Sequence, residues 1–107
     1  MSNFEQVYTE TFDGFNIALS VTPEDISPRD CFEEDDIEEI IDKIERGDLL
    51  WFVAKVTASK HGVELAEDYL GGCCYTSTRD FIDGDYFYDM KLDAVYHAKE
   101  KLSLLRG

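Results

Sequence analysis

The stretch LLWFVAKVTASKHGVELAEDYL, residues 49–70, carries the alternation from which the fold is read. Side chains along a strand alternate between its two faces, so Leu50, Phe52, Ala54 and Val56 share one side. A turn over residues 59–62 follows. Val63, Leu65 and Tyr69 are expected to line the returning strand. Strands joined this tightly run antiparallel.

Upstream, FEQVYTETFDGFNIALSV (4–21) repeats the arrangement. Asp13-Gly14 between alternating apolar residues is a strong short-range hairpin signal. Phe15, Ile17, Leu19 and Val21 share a face that Tyr8 and Phe12 meet from the first arm. Asn16, Ala18 and Ser20 point the other way. TPEDISPRDCF, interrupted by Pro23 and Pro28, reads as a connector. EEDDIEEIIDKIERGD then sets Ile37, Ile40, Ile41 and Ile44 at i, i+3, i+4, i+7, one stripe of a helix, with Gly47 closing it. Beyond residue 70, Thr76 or Ser77 caps a short turn and Asp83-Gly84 breaks it. Residues 85–105 are helical in pattern, with Phe87, Met90, Ala94, Ala98 and Leu102 on one side. The order β-β-α-β-β-α predicts an α+β fold: an antiparallel sheet of about four strands with two main helices packed on it. A length of 107 residues suits one domain spanning residues 1–107.

The apolar fraction of 44% is core-forming, whereas the charge is one-sided. Acids number 24 against 10 bases, a formal charge of -14. Such a chain is repelled by nucleic acid and by anionic membranes and is attracted to basic surfaces. No apolar run has the length needed to span a bilayer. MSNFEQVYTE lacks the basic start and apolar core of a signal peptide. The odd number of cysteines, three, makes no disulfide framework. A cytoplasmic home in a bacterial host is the expectation.

EDYLGGCCYTS (67–77) is the place to look for chemistry. A redox dithiol ordinarily has two residues between its cysteines, and here there are none. A zinc site draws on four ligands at paired spacings, and Cys73, Cys74, His61, His97 and Cys31 show no such spacing. A cysteine nucleophile would need His61 or His97 as its base. The packing explanation is simpler. Gly71 and Gly72 permit positive φ as the fourth strand ends, and Cys73 and Cys74 fill the corner as small apolar side chains. The stretch is then the joint between the sheet and the C-terminal helix. Among Asp80, Asp83, Asp85 and Asp89 the spacing differs from that of a calcium loop, and Asp85 and Asp89 suit a helix N-terminus. No cofactor or metal and no catalytic residue is expected.

The densest charge lies in residues 33–48. Glu33, Glu34, Asp35 and Asp36 at the start of the helix, and Lys43 and Arg46 near its end, follow the helix dipole. Glu39-Lys43 and Asp42-Arg46 are favourable i, i+4 pairs. Glu34-Glu38, Asp35-Glu39 and Glu38-Asp42 each cost on the order of 0.2–0.5 kcal/mol. Folding alone does not select that arrangement. Acids along the exposed face recur at roughly 5 Å along the axis, loosely the spacing of phosphates.

The run from LLWFVAKVTASKHG through EDYLGGCCYTSTRDFI to YFYDMKLDAVYHA resembles small proteins encoded by bacteriophages and related mobile elements. Small acidic proteins of that kind resemble anti-CRISPR and other anti-defence inhibitors. The resemblance implies binding to a host nuclease complex at a nucleic-acid-binding surface, with no catalysis and no direct contact with nucleic acid. It carries no binding motif onto this chain. On charge alone, the residues expected to bind the basic partner are Glu34, Asp35, Glu38, Asp42 and Glu45, with Asp83 and Asp85 as a second cluster. Tyr86 and Tyr88 are expected to add contact area, since interfaces favour tyrosine, the alternative being that one of them belongs to the core. The competing expectation is an acidic interaction module or adaptor subunit, which would use apolar residues outside the core for a homodimer or heterodimer.

Overall fold

A computed structural model describes residues 3–31 and 36–105. Strands β1 (Glu5–Phe12), β2 (Phe15–Pro23), β3 (Leu50–Lys60) and β4 (Val63–Tyr75) form one antiparallel sheet in the order β1-β2-β3-β4. Between β2 and β3 lie α1 (Pro28–Cys31) and α2 (Ile37–Glu45). After β4 come α3 (Thr78–Ile82) and α4 (Asp85–Leu105). The fold is α+β as expected, but the two expected helices are joined by two short ones. Pro28 at the first position of α1 has the φ a helix start needs. At α3 the Ser77 hydroxyl accepts from the Asp80 N–H at 3.1 Å, which caps a single turn.

Both hairpins close through two residues. Asp13 and Gly14 have φ of 52° and 83°, and His61 and Gly62 have 54° and 77°. Paired left-handed residues twist the turn in the sense the strands need. The second turn is therefore tighter than the 59–62 span expected, because His61 takes the left-handed conformation usually left to Asn, Asp or Gly.

One face of the sheet carries Phe15, Ile17, Leu19, Phe52, Ala54, Val56 and Ala58. Across it lies α4, which buries Phe87, Met90, Ala94, Val95 and Ala98 against β3 and β4. Alanines on both elements let the helix lie close to the strands. Phe81 of α3 plugs the end of this layer, fully buried against Phe52, Tyr75 and Phe87. On the β1 side, the Lys91 ammonium pairs with Glu10 at 2.7 Å, and Tyr8 donates to the same carboxylate at 2.7 Å. Burial works against the charge on Glu10, but these two hydrogen bonds hold its carboxyl below the usual range.

Two irregularities in β4 depart from the sequence reading. Ala58 pairs with Ala66 and Ser59 with Glu64, so Leu65 is an extra residue. Leu65 is buried, while Tyr69, two pairs of residues further on, pairs with Lys55 on the opposite face and is exposed. Val63, Leu65 and Tyr69 thus do not share a face, because a bulge shifts the alternation by one. The second irregularity falls at Gly71-Gly72, where two residues oppose Val53. Gly72 has φ of 66°. The strand does not end at the glycines. They form a bulge, and β4 continues through Cys73 and Cys74 to Tyr75.

Helix α2 also differs from expectation. No residue of it is buried, and Ile37, Ile40, Ile41 and Ile44 are half-buried. Its stripe faces the body of the protein without entering the core that α4 shares with the sheet.

Candidate protein-docking surface

The connection from β2 to β3 carries α2 out to the end of the sheet where β4 finishes and α4 begins. There Ile40, Leu49, Leu70, Gly71, Gly72, Cys73, Cys74, Tyr75 and Tyr86 line an open hollow of about 500 Å³. The hollow brings together two segments that sequence reasoning singled out separately, the acidic helix and the acid-rich stretch around residue 85. The signal for it was present in the isoleucine stripe and in Tyr86, but only the fold sets them face to face.

Glu34 and Asp35 lie outside the described residues. Glu38 forms an ion pair with Arg29 of α1, and the guanidinium holds its carboxyl below the usual range. Glu39 pairs with Lys43 at 3.5 Å, as the spacing predicts. Arg46 turns instead to Asp48, at 3.5 Å, so the expected Asp42-Arg46 pair does not form. Asp42 and Glu45 are exposed with no ion-pair partner among the described residues. In the second cluster, Asp83 pairs with Arg79 at 3.0 Å, whereas Asp85 and Asp89 are exposed and unpaired among the described residues.

The two tyrosines separate. Tyr86 is 60% exposed at the hollow. Tyr88 points to the other flank of α4, edge-on to Phe12 at 6.5 Å, with the Lys91 ammonium 5.4 Å from its ring. Residues two apart on a helix do not face the same way. Tyr88 therefore braces α4 against β1 and does not join the acidic end.

The four acids near residue 85 are partly engaged elsewhere: Thr76 donates to Asp80, and Arg79 holds Asp83. No group of three potential metal ligands occurs among the described residues. No helix among them is long and apolar enough to cross a membrane.

The cysteines differ from one another. Cys73 sits in the core, opposite Phe52, and its thiol donates to the Leu70 carbonyl at 3.3 Å. Burial pushes this thiol up to about 11, against the lowering effect of a backbone hydrogen bond from Ala54. Cys74 lies on the opposite face beside Trp51 and is only half-buried, so it is not the second core residue expected. Burial raises its thiol too. Cys31 is exposed. At pH 8 a thiol near 11 is about one part in a thousand thiolate. Thiol-labelling reagent is therefore expected to modify Cys31 first and Cys73 at least about a hundredfold more slowly. Peptide mapping of the labelled sites checks this, and fast labelling of Cys73 in the folded protein would contradict its packing.

The Gly72 N–H, displaced from regular pairing by the bulge, donates to the Glu24 carboxylate at 2.8 Å. Trp51 fixes the same connector by donating its indole N–H to the Ile26 carbonyl at 2.8 Å. These two hydrogen bonds tie the chain leading to α1 and α2 against the end of β3 and β4. They set where the acidic helix emerges. No protein-family model matches this chain, and no curated protein or solved structure matches it either.

Proposed function

We propose that the protein is a non-enzymatic inhibitor from a phage or mobile element, which docks its acidic end on the basic, nucleic-acid-binding surface of a bacterial defence complex. The observation that supports this reading is that Ile40 of α2 and Tyr86 at the start of α4 line one hollow, while Asp42 and Glu45 of α2 and Asp85 and Asp89 of α4 are without an ion-pair partner among the described residues. Carboxylates in this setting steer association and occupy positions that phosphates would otherwise take. Tyr86 adds rigid contact area at the centre of that end. The hollow supplies an apolar patch among the charges, the composition of a protein interface, whereas a metal or substrate site would call for a convergent polar set.

Changing Glu38, Asp42 and Glu45 together to lysine tests the reading. The wild-type protein, immobilised and exposed to nuclease-treated bacterial lysate at low salt, is expected to retain a basic nucleic-acid-binding complex. About 1 M salt, where charges are screened within about 3 Å, is expected to release it. The triple variant is expected to bind that complex at least about tenfold more weakly, a loss of about 1.4 kcal/mol. Undiminished binding by the variant would remove α2 from the interface. Salt-resistant capture of a partner without a basic surface would favour the adaptor reading.

A further inference from the structure

We infer that the free edge of β4 is a second docking element, which receives an extended basic segment of a partner protein as a fifth strand of the sheet. The inference deepens the reading above in one respect: it takes the partner to be basic.

The sheet has two edge strands, β1 and β4. α4 packs over β3 and β4 and reaches β1 through side chains, Lys91 to Glu10, Lys99 to Asp13 and Tyr88 to Phe12. At the other edge, β4 is the longest strand, 13 residues against 8 for β1, and it pairs with β3 alone among the described residues. An edge strand presents a row of unpaired N–H and C=O groups that another strand can complete. The regular stretch between the two bulges, Ala66–Leu70, is the part whose spacing suits a ladder.

That stretch is flanked by hollows at both ends. One, of about 270 Å³, is lined by Glu64, Leu65, Ala66, Glu67 and Lys101. The other is the hollow of about 500 Å³ at Leu70–Tyr75 and Tyr86. Tyr86 and Lys101 therefore both mark the side of α4 that runs along the β4 edge. Asp93 and His97 fall on the same stripe between them, by the three- and four-residue spacing of a helix. Strand addition uses main-chain hydrogen bonds for affinity and pockets for alternate side chains for specificity, and this edge has both.

Charge selects the occupant. Glu64, Asp68 and Asp93 have no ion-pair partner among the described residues, and Glu67 has only Lys55 at 3.7 Å. A second copy of the chain is a poor fit. Antiparallel self-pairing centred on residues 66–68 would set Glu67 against Glu67, Glu67 against Asp68, or Glu64 against Asp68. Like charges directly opposite are destabilising. The same acids that keep copies apart attract a strand carrying lysine or arginine.

The test uses the full-length protein and a synthetic peptide of about ten residues, a long strand's length, with lysine and valine alternating. Its control is the same peptide with every second backbone nitrogen methylated, which keeps the charge and removes ladder donors. The unmodified peptide is expected to slow amide hydrogen exchange within residues 66–70 at least about tenfold. The methylated peptide is expected to bind at least about tenfold more weakly. Glu67→Lys with Asp68→Lys is expected to weaken peptide binding to a similar extent, while the α2 triple-lysine variant retains the protection of β4. Equal binding of both peptides would overturn the inference and leave the acidic-end reading standing, as would protection that falls on α2 in place of β4. Absence of β4 protection with either peptide would overturn it as well.

Discussion

Replacing Phe81 by alanine is expected to destabilise the protein by about 3–5 kcal/mol, the range for truncating a buried aromatic ring. Phe81 is fully buried on a helix of only five residues. Its ring stands edge-on to Tyr75 at 5.1 Å and to Phe52 at 5.6 Å, and Phe87 lies 6.2 Å away. Edge-to-face contacts of this kind add about 0.5–1.5 kcal/mol each to area burial. So short a helix has little stability of its own, since helix nucleation is costly and one turn does not recover it. Phe81 therefore holds α3 to the end of the sheet, and α3 in turn sets the angle at which α4 begins. Denaturant unfolding followed by Trp51 fluorescence measures the loss. The midpoint temperature is expected to fall by roughly 12 °C or more, at about 4 °C per kcal/mol for a domain near this size. Phe81→Leu, which keeps most of the volume, is expected to cost about 1 kcal/mol. A loss below about 1 kcal/mol for the alanine variant would mean that the cluster is not packed as described.

Gly72→Val is expected to cost about 2–5 kcal/mol, from two additive sources. The left-handed backbone disfavours a side chain by roughly 1–2 kcal/mol, and more for a β-branched one. Crowding adds roughly 1–3 kcal/mol. A Cβ at this position would already lie 3.5 Å from the Trp51 ring, and the branches would reach beyond it. The alternative, regularising the strand, would flip Cys73 out of the core and break the Gly72 N–H bond to Glu24. Gly71→Ala is the control. Its Cβ would lie 3.0 Å from the Glu24 oxygen that accepts the Gly72 N–H, in a backbone without positive φ, and a cost of about 1 kcal/mol, that of the strained hydrogen bond, is expected. Equal effects at the two positions, measured by denaturant unfolding, would argue that Gly72 does not carry the bulge.

The bulge also explains which parts of the opening reading held. Phe15, Ile17 and Leu19 are buried together, and Tyr8 pairs with Leu19 and Phe12 with Phe15, because the first hairpin is regular in that stretch. Phe87, Met90, Ala94 and Ala98 are buried along α4, as their spacing requires. In β4 the same logic failed at Tyr69, since one inserted residue at Leu65 reverses the alternation over Ala66–Leu70, until the second bulge restores it at Cys73. Nothing in VELAEDYL marks the insertion. At Gly71-Gly72 the sequence did mark something, but a strand end and a bulge ask for the same residues, as both need a glycine at positive φ.

The candidate site was legible as ingredients. Excess acid on α2 and around residue 85, and a tyrosine at the start of α4, could be read in the sequence. Their assembly could not, because it depends on where the β2–β3 connection leaves the sheet. Glu24 and Trp51 set that through hydrogen bonds to Gly72 and Ile26, contacts between residues far apart in the chain. Other contacts beyond the reach of helix periodicity set Tyr88 against Phe12 of β1 and tied Glu38 to Arg29.

Local chemistry alone determined the elements of this protein: the hairpin turns, the helix stripes and the preponderance of carboxylates. These follow from periodicity and backbone preference, which act over a few residues. The tertiary structure alone decided which strands form the edges of the sheet, which acids among the described residues stay unpaired and which aromatic faces the hollow. Those depend on register and on long-range contacts, where a shift of one residue changes every neighbour.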